Sequence, residues 1–369
     1  MRHLATLLLL LAAVSPAAGQ SGPTSARPYS IYVSSEAADI VTRIDVGRTG
    51  WRKARAISVK LVPNEISGPH NVAVAPDGRF WYVSIAHGRP NGAIWKYDAA
   101  TDSLIARTAV GMFPTTVALS PNGEWAWIPN SDFHGDRGKA NTISALYVPT
   151  MEEIAQVPAC DMPHGSKWNS AGTTVYIACM MSDELLTIDP GSFAVTKRVQ
   201  LGSGKPMSMA HHDKPGAASS TMRGQDPDCL ATYVSISPDD RYAYVACNHS
   251  NELQVRDAKT LELIRRVPTG TGAYNVEPSP DGKYVVVSNK KAQSVSIIGV
   301  GSWEELARVP TSKKLPHGIA FSPDNRFLFV TSESVGTDPG AIDVIDLSTR
   351  KPVGSLELPL QPTGIAIRR

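Results

Sequence analysis

Residues 69–84 read PHNVAVAPDGRFWYVS, and residues 316–332 read PHGIAFSPDNRFLFVTS. Each stretch contains a short alternating apolar segment, a Pro-Asp-Gly or Pro-Asp-Asn turn, and a second segment rich in β-branched and aromatic residues. Proline presets φ at its turn position, and glycine or asparagine accepts positive φ, so both stretches predict a tight β-hairpin. The second segment has the composition of a strand in a pleated sheet.

This hairpin recurs along the chain, with turns APDG, SPNG, NSAG, SPDD, SPDG and SPDN that begin at positions 75, 120, 169, 237, 279 and 322. A third strand, often ending in aspartate, and a fourth strand follow each hairpin. We call the residue near the start of each first strand the mouth residue. The six complete copies have the mouth residues His70, Thr115, His164, Thr232, Tyr274 and His317. Four strands per unit, repeated every ~40–50 residues, are typical of a β-propeller.

The two ends of the chain supply a seventh unit. Residues 361–367 (QPTGIAI) form a first strand without partners, whereas residues 31–45 supply a second and a third strand with no first strand before them. Joining them closes a ring and removes the exposed sheet edges of an open array. We therefore predict an all-β fold: one seven-bladed β-propeller of four-stranded blades over residues 29–369, closed by pairing of the N-terminal strands with the C-terminal strand.

The first twenty residues, MRHLATLLLLLAAVSPAAGQ, combine a basic start, a short apolar run and small residues. This pattern predicts a signal peptide over residues 1–19, followed by an N-terminal extension over residues 20–28. The apolar run is shorter than the roughly 18–20 residues that span a bilayer, and no later segment is longer, so we expect no transmembrane anchor. We expect a periplasmic or secreted protein, with the periplasm preferred. A net charge of +2 without a basic, aromatic-rich stripe predicts no nucleic-acid partner.

The four cysteines (Cys160, Cys179, Cys229 and Cys247) predict disulfides in an exported chain. Cys160 and Cys229 both lie just ahead of a first strand in neighbouring blades, which favours a Cys160–Cys229 bridge. Other connectivities remain open, and ligation of a metal by a free thiolate is the alternative.

The segments YVSSE, YVSIA, YVACN, VVSNK and FVTSE resemble the YVTN family of β-propeller repeat proteins. The resemblance covers nearly all of the chain beyond the signal peptide, and it implies the propeller architecture. Surface-layer, binding and enzymatic proteins all occur in that wider group, so function has to be argued from a site.

The starts of the first strands and the ends of the second strands share one side of the ring, which we call the upper face. The longest connections, 134–141, 210–229 and 334–341, lie there, and insertions on one face of a repeat fold commonly mark the binding face. Every histidine beyond the signal peptide also falls in these upper connections: His70, His87, His134, His164, His211, His212, His249 and His317.

The mouth histidines His70, His164 and His317 occupy blades 2, 4 and 7, the nearest that seven blades come to three-fold spacing. Because first strands line a propeller's channel, three imidazoles there predict a metal site, with His211 and His212 as further candidate ligands. The same loops carry Met162, Met180, Met181, Met207 and Met209, which favours copper, whereas carboxylate neighbours would suit zinc, iron or manganese. The alternative is structural, with each imidazole bonded only to the backbone of a neighbouring blade.

Three functions fit these patterns. The first is a metal-dependent oxidoreductase or accessory protein, similar in outline to the histidine-lined copper cluster in the seven-bladed domain of nitrous oxide reductase, with fewer mouth histidines and no cupredoxin domain. The second follows from strand frames that are similar to those of streptogramin lyases, which use histidine with a divalent cation. That resemblance implies a lyase or lactone-opening enzyme with His164 or His317 as general base and Tyr274 as proton donor. The third is a non-catalytic scaffold whose upper face binds a small molecule or a protein partner.

Overall fold

The computed structural model describes residues 22–60, 63–88, 90–133, 141–202 and 228–369. The predicted signal peptide, His134, His211, His212 and nearly all of the 210–229 insertion lie outside these ranges. Seven four-stranded antiparallel sheets form the described structure. One short 3₁₀ helix, η1 (Glu36–Ala38), joins the first two strands. Within these ranges, no helix has the length and apolar character needed to cross a bilayer.

Each blade is built from the channel outward by four strands in turn. Blade 1 contains β28 (Pro362–Arg368), β1 (Tyr29–Ser35), β2 (Ile40–Gly47) and β3 (Gly50–Ser58). Blade 2 contains β4 (Pro69–Val74), β5 (Phe80–Ile85), β6 (Ala93–Asp98) and β7 (Leu104–Ala109). Blade 3 contains β8 (Ala118–Leu119), β9 (Trp125–Asn130), β10 (Thr142–Tyr147) and β11 (Glu152–Pro158). Blade 4 contains β12 (Pro163–Trp168), β13 (Val175–Cys179), β14 (Glu184–Asp189) and β15 (Ala194–Gln200).

The remaining three blades follow the same order. Blade 5 contains β16 (Ala231–Ile236), β17 (Tyr242–Cys247), β18 (Glu252–Asp257) and β19 (Leu263–Pro268). Blade 6 contains β20 (Ala273–Pro278), β21 (Tyr284–Asn289), β22 (Ser294–Gly299) and β23 (Glu305–Pro310). Blade 7 contains β24 (Pro316–Phe321), β25 (Phe327–Ser332), β26 (Gly340–Asp346) and β27 (Lys351–Leu358).

The ring closes as predicted, by pairing of the two chain ends. In blade 1 the C-terminal strand β28 pairs antiparallel with β1, and Ile31 lies opposite Ile367. Arg368, at the end of β28, donates from Nε to the Gly78 carbonyl of blade 2 at 2.9 Å. The predicted all-β, seven-bladed architecture is thereby confirmed.

The hydrophobic core is divided among the blade interfaces. Each of seven clusters of buried apolar side chains joins two adjacent blades, for example Tyr32 and Val41 of blade 1 with Trp81 and Trp95 of blade 2. A second strand therefore buries both of its faces, which explains why residues 80–85 (FWYVSI) read as an almost continuous apolar run. The outer fourth strands are mostly exposed.

The disulfides are present, but the favoured Cys160–Cys229 pairing is wrong. Cys160 bonds to Cys179, and Cys229 bonds to Cys247. Each bridge links the entry of a first strand to the end of the second strand of the same blade. Cys160 packs into the core between blades 3 and 4, whereas Cys229 packs between blades 4 and 5, so blade 4 itself separates the two sulfurs.

Candidate functional site

A break in strand register presents the mouth residue to the channel. In six blades the antiparallel pairing of the first and second strands shifts around this residue, at His70, His164, Thr232, Tyr274, His317 and Thr363. Such a β-bulge bends the strand locally and re-aims a side chain that a regular ladder would direct elsewhere. In the repeated hairpin, the first strand therefore packs between its neighbours while the side chain of the mouth residue can face the channel.

The glycine that follows two of these histidines permits close approach of the first strands. A Cβ atom on Gly165 would lie 2.6 Å from Tyr233 Cα, and one on Gly318 would lie 2.5 Å from the Thr363 carbonyl oxygen. Both neighbours belong to the next blade and are backbone atoms that cannot move aside cheaply. The Pro-His-Gly motif thus holds adjacent blades in contact at the mouth.

The mouth residues that are not aromatic are threonines, and they link one blade to the next. From blade 1 to blade 7 the mouth residues are Thr363, His70, Thr115, His164, Thr232, Tyr274 and His317. Each threonine hydroxyl donates to the backbone carbonyl of the following mouth residue, at His70, His164 and Tyr274 respectively. Around the mouth, threonine alternates with a residue that carries a ring. Because seven is odd, this alternation fails once, and Tyr274 and His317 are neighbours, with ring centroids 4.7 Å apart.

The ring of His70 contacts the rings of both other mouth histidines. Its centroid lies 5.8 Å from that of His164 and 5.5 Å from that of His317. Imidazoles that share one metal ion at bonds of about 2.1 Å bring their ring centroids to roughly 5–6 Å. Tyr233 and Tyr274 complete the cluster, with Tyr233 5.0 Å from His164 and 6.1 Å from His317.

Glu36 orients two histidines. Its Oε2 lies 2.7 Å from His70 Nδ1, and its Oε1 lies 2.8 Å from His87 Nε2. Burial opposes ionisation of this carboxyl, but the imidazoles of His70 and His87 outweigh it and lower the pKa of Glu36 to about 2. The carboxylate accepts a hydrogen bond from His70 Nδ1, and Nε2 of the same ring has no hydrogen-bond partner among the described residues. A carboxylate behind an imidazole is the usual second layer of a histidine metal site.

His164 is held by hydrogen bonds at both ring nitrogens. Nδ1 donates to the Thr232 carbonyl at 2.9 Å, so the tautomer leaves Nε2 as an acceptor. The Tyr274 hydroxyl donates to that Nε2 at 3.3 Å, a long hydrogen bond. Burial, assisted by the nearby His70, lowers the pKa of His164 to about 3, so its imidazole is neutral at neutral pH.

His317 differs from the other two. Its side chain is 1% exposed, yet neither ring nitrogen has a hydrogen-bond partner among the described residues. Nε2 lies 3.9 Å from Glu333 Oε1, which is too long for a hydrogen bond. Burial and the positive charge of Lys290 lower the pKa of His317 well below its ordinary value. A neutral, buried imidazole with two unsatisfied nitrogens demands an explanation, because such groups cost free energy in a folded protein.

A second ion pair borders the cluster on the side of blades 6 and 7. Lys290 Nζ lies 2.5 Å from Glu333 Oε1 and 3.8 Å from the centre of the Tyr274 ring. Burial and the Glu333 carboxylate raise the pKa of Tyr274 well above its ordinary value, so the phenol stays protonated and can donate. The cluster is thus bounded by a carboxylate on each side, Glu36 and Glu333.

Two cavities adjoin this layer of rings. On the upper face, a pocket of about 680 Å³ contains Glu36, His87, Met112 and Phe113 in its wall. Below the rings, the central channel has a volume of about 460 Å³ and is lined by first strands, including Tyr233. The upper pocket has the size of a small-molecule site, and Glu36 connects it to His70.

The structure brings the predicted residues His70, His164, His317 and Tyr274 into one cluster. Within the described ranges, no group of three or more His, Cys, Asp or Glu side chains is placed so that it could hold a metal ion. Met180 is buried, and Met181 is exposed.

Sequence reasoning missed Glu36 and Lys290 and gave no role to Tyr233. A signal was available, because in blades 1, 6 and 7 the residue directly after the second strand borders the cluster. It is Glu36 in YVSSE, Lys290 in VVSNK and Glu333 in FVTSE. Tyr233 stands one position after a mouth residue, where other blades carry glycine, asparagine or threonine.

Comparison with known proteins supports the architecture. A family model described as "Lactonase, 7-bladed beta-propeller" matches residues 233–337. Protein NirF of Pseudomonas aeruginosa is 22% identical over 246 residues, which cover 63% of this chain and 55% of NirF. The chain therefore matches only about half the length of that curated relative.

Solved structures agree at the level of fold. A chain of Kuenenia stuttgartiensis hydrazine synthase superposes with a TM-score of 0.64 at 19% identity, over 84% of this chain and 92% of that one. A protein of unknown function from Desulfotomaculum acetoxidans superposes with a TM-score of 0.71 at 12% identity, over 92% of this chain and 98% of that one. These matches do not name the YVTN repeat, so that resemblance stays a prediction. Sequence matches and fold together place the chain among the β-propeller proteins, with seven blades.

Proposed function

We propose that this protein is an exported propeller that binds one transition-metal ion at the channel mouth through His70, His164 and His317. The observation that carries the proposal is the state of His317, which is buried with both nitrogens unsatisfied beside a His70 whose Nε2 is also unsatisfied. Unpaired buried nitrogens are costly, and a shared metal ion would satisfy His70 Nε2 and one of the two nitrogens of His317. The two disulfides support export to an oxidising compartment such as the periplasm.

The residues present fit a metal ion in their chemistry. Glu36 keeps the proton of His70 on Nδ1, and the Thr232 carbonyl does the same for His164, so the Nε2 lone pair of each ring faces away from its support. Three imidazoles favour copper, with zinc, iron or manganese as the other candidates. Bound there, such an ion supplies Lewis-acid or one-electron redox chemistry. The upper pocket beside Glu36 would then hold the small-molecule substrate.

Metal analysis tests the proposal. Mature protein exported to a periplasm and purified without a metal-affinity tag would be analysed by plasma mass spectrometry. The triple variant His70→Ala, His164→Ala, His317→Ala would be measured beside His249→Ala, which changes an exposed upper-face histidine outside the ring cluster.

We expect stoichiometric metal in the wild type and in His249→Ala, and its loss in a triple variant with an unchanged β circular dichroism spectrum. Wild-type protein that stays metal-free after reconstitution with each candidate ion would overturn the proposal.

A lyase or lactone-opening activity is the second candidate, favoured by the lactonase-type match, which spans Tyr274 and His317. Tyr274 would donate a proton and His164 would act as base, across the 3.3 Å hydrogen bond that already joins them. The depressed pKa of His164 makes it a weak base, and for this reason we place the metal centre first. If the wild-type protein opens lactones after treatment with a chelator, and Tyr274→Phe does not, the lactone-opening activity would take first place over the metal centre. Ligand binding without metal or turnover would indicate a scaffold.

A further inference from the structure

A second pocket lies on the lower face, opposite the mouth, where the two ends of the chain meet. It has a volume of about 640 Å³ and lies between the turn that joins β2 to β3 and the end of β28. Arg43, Arg52, Arg368 and Arg369 line it, together with Asp45. Nothing in the proposed function uses this pocket.

The lining of this pocket is strongly positive. Four arginines and one aspartate amount to +3, whereas the whole chain carries +2, so all its other residues together sum to −1. If the backbone of Arg369 ends in a free carboxylate, that group offsets one of these charges. The pocket thus concentrates positive charge on a molecule that is otherwise almost neutral.

The single acidic side chain of the lining is already engaged. Asp45 lies 3.2 Å from Arg43 and 3.6 Å from Arg52, and it also accepts a hydrogen bond from Ser30 at 2.9 Å. Arg368 donates to the backbone carbonyls of Gly78 and Ala99, so its charge meets dipoles there rather than a carboxylate. Arg43 also pairs with the buried Asp102 at 2.7 Å, so the positive charge left for a ligand comes from Arg52, Arg368 and Arg369.

Further groups in the lining suit a phosphate. The segment that forms the turn and the outer strand reads RTGWRKAR, residues 48–55, and contributes Thr49, Trp51 and Arg52 to the lining. The hydroxyl group of Thr49 and the ring of Trp51 also face the pocket. Guanidinium groups match phosphate oxygens with paired hydrogen bonds, hydroxyl groups add donors, and an indole ring offers an apolar wall.

We propose that this lower pocket binds a phosphate-bearing anion, either a soluble phosphate compound or the headgroup of an anionic lipid. Arg52 and Arg369 supply the accessible charge, while Arg43 and Arg368 are held by their protein partners and shape the floor. Binding there requires no metal and no residue of the channel mouth.

The test compares two variants with the same change in net charge, one inside the pocket and one outside it. The double variant Arg52→Glu, Arg369→Glu changes the lining from +3 to −1. The control Arg241→Glu, Arg326→Glu changes the net charge equally, but in lower-face turns of blades 5 and 7. The exposed fraction of the side chain is 74% for Arg52, 68% for Arg241 and 57% for Arg326, so both variants should fold.

Pyrophosphate binding would be measured by titration calorimetry. Binding to vesicles of phosphatidylglycerol in phosphatidylcholine would be measured by co-sedimentation, with pure phosphatidylcholine as the blank. We expect saturable binding that weakens at least ~10-fold in the pocket variant and less than ~3-fold in the control variant, and that falls with added salt.

A response to pyrophosphate alone identifies a soluble phosphate compound, and a response to vesicles alone identifies a lipid headgroup; both support the site. An equal loss in the two variants, or no binding of either probe by the wild type, overturns it.

Discussion

Replacing His317 with leucine should make the metal-free protein more stable, which is unusual for a fully buried position. The two unsatisfied nitrogens each cost roughly 1–3 kcal/mol, and leucine removes both. The change also removes ring contacts with Tyr274, His70 and Tyr233, which contribute roughly 0.5–1.5 kcal/mol each. At the middle of both ranges, the difference leaves a gain of about 1 kcal/mol in the free energy of unfolding.

The matched control is His164→Leu. His164 also stands at a blade mouth and is 3% exposed, but both of its ring nitrogens are bonded. Its removal strands the Thr232 carbonyl and the Tyr274 hydroxyl and also deletes ring contacts, so we expect a loss of about 2–3 kcal/mol. The two histidine variants should therefore shift stability in opposite directions.

Urea unfolding of chelator-treated protein, followed by tryptophan fluorescence, measures both effects as shifts of the midpoint at constant slope. The midpoint should rise for His317→Leu and fall for His164→Leu. If both variants fall equally, His317 is satisfied in the metal-free protein, and the reasoning behind the mouth site fails. Metal content provides a second measurement, because His317→Leu should bind less metal although it is more stable.

Four further outcomes follow from the structure. Copper added to the chelated wild type should raise the melting temperature with the logarithm of the free copper concentration and should leave His317→Leu unchanged; an equal rise in both would point to surface binding. Replacing Cys229 and Cys247 together by alanine should cost about 3 kcal/mol for a loop with a sequence separation of 18, and an unchanged urea midpoint would contradict this. Gly318→Ala should cost at least ~1–3 kcal/mol by the same measurement, because its Cβ would lie 2.5 Å from the Thr363 carbonyl oxygen. Thr363→Val removes the 2.7 Å hydrogen bond to the His70 carbonyl and should cost about 1 kcal/mol, whereas no loss would show that this link between blades is dispensable.

The seven blades, their strand order and the closure of the ring could be predicted from the sequence alone. Turn chemistry such as APDG at position 75 is a local signal, and a blade is a local unit that repeats within about 50 residues. The mouth histidines could also be predicted, because the mouth residue always lies at about the same distance before the turn of its hairpin. Even the ring closure followed from counting strands, since each end of the chain lacked what the other supplied.

Only the tertiary structure determined the disulfide pairing and the contacts between side chains of neighbouring blades. The cysteine spacing did not show that blade 4 separates Cys160 from Cys229. Glu36 reaches His70 because blade 1 packs against blade 2 and places β1 beside β4, whereas closure of the ring brings Arg43 and Arg52 beside Arg368. These partners lie 34 residues apart for Glu36 and His70, and at opposite ends of the chain for the arginines. Local sequence patterns specify the strands, but only packing of the closed ring determines which side chains, charges and unsatisfied nitrogens share a space.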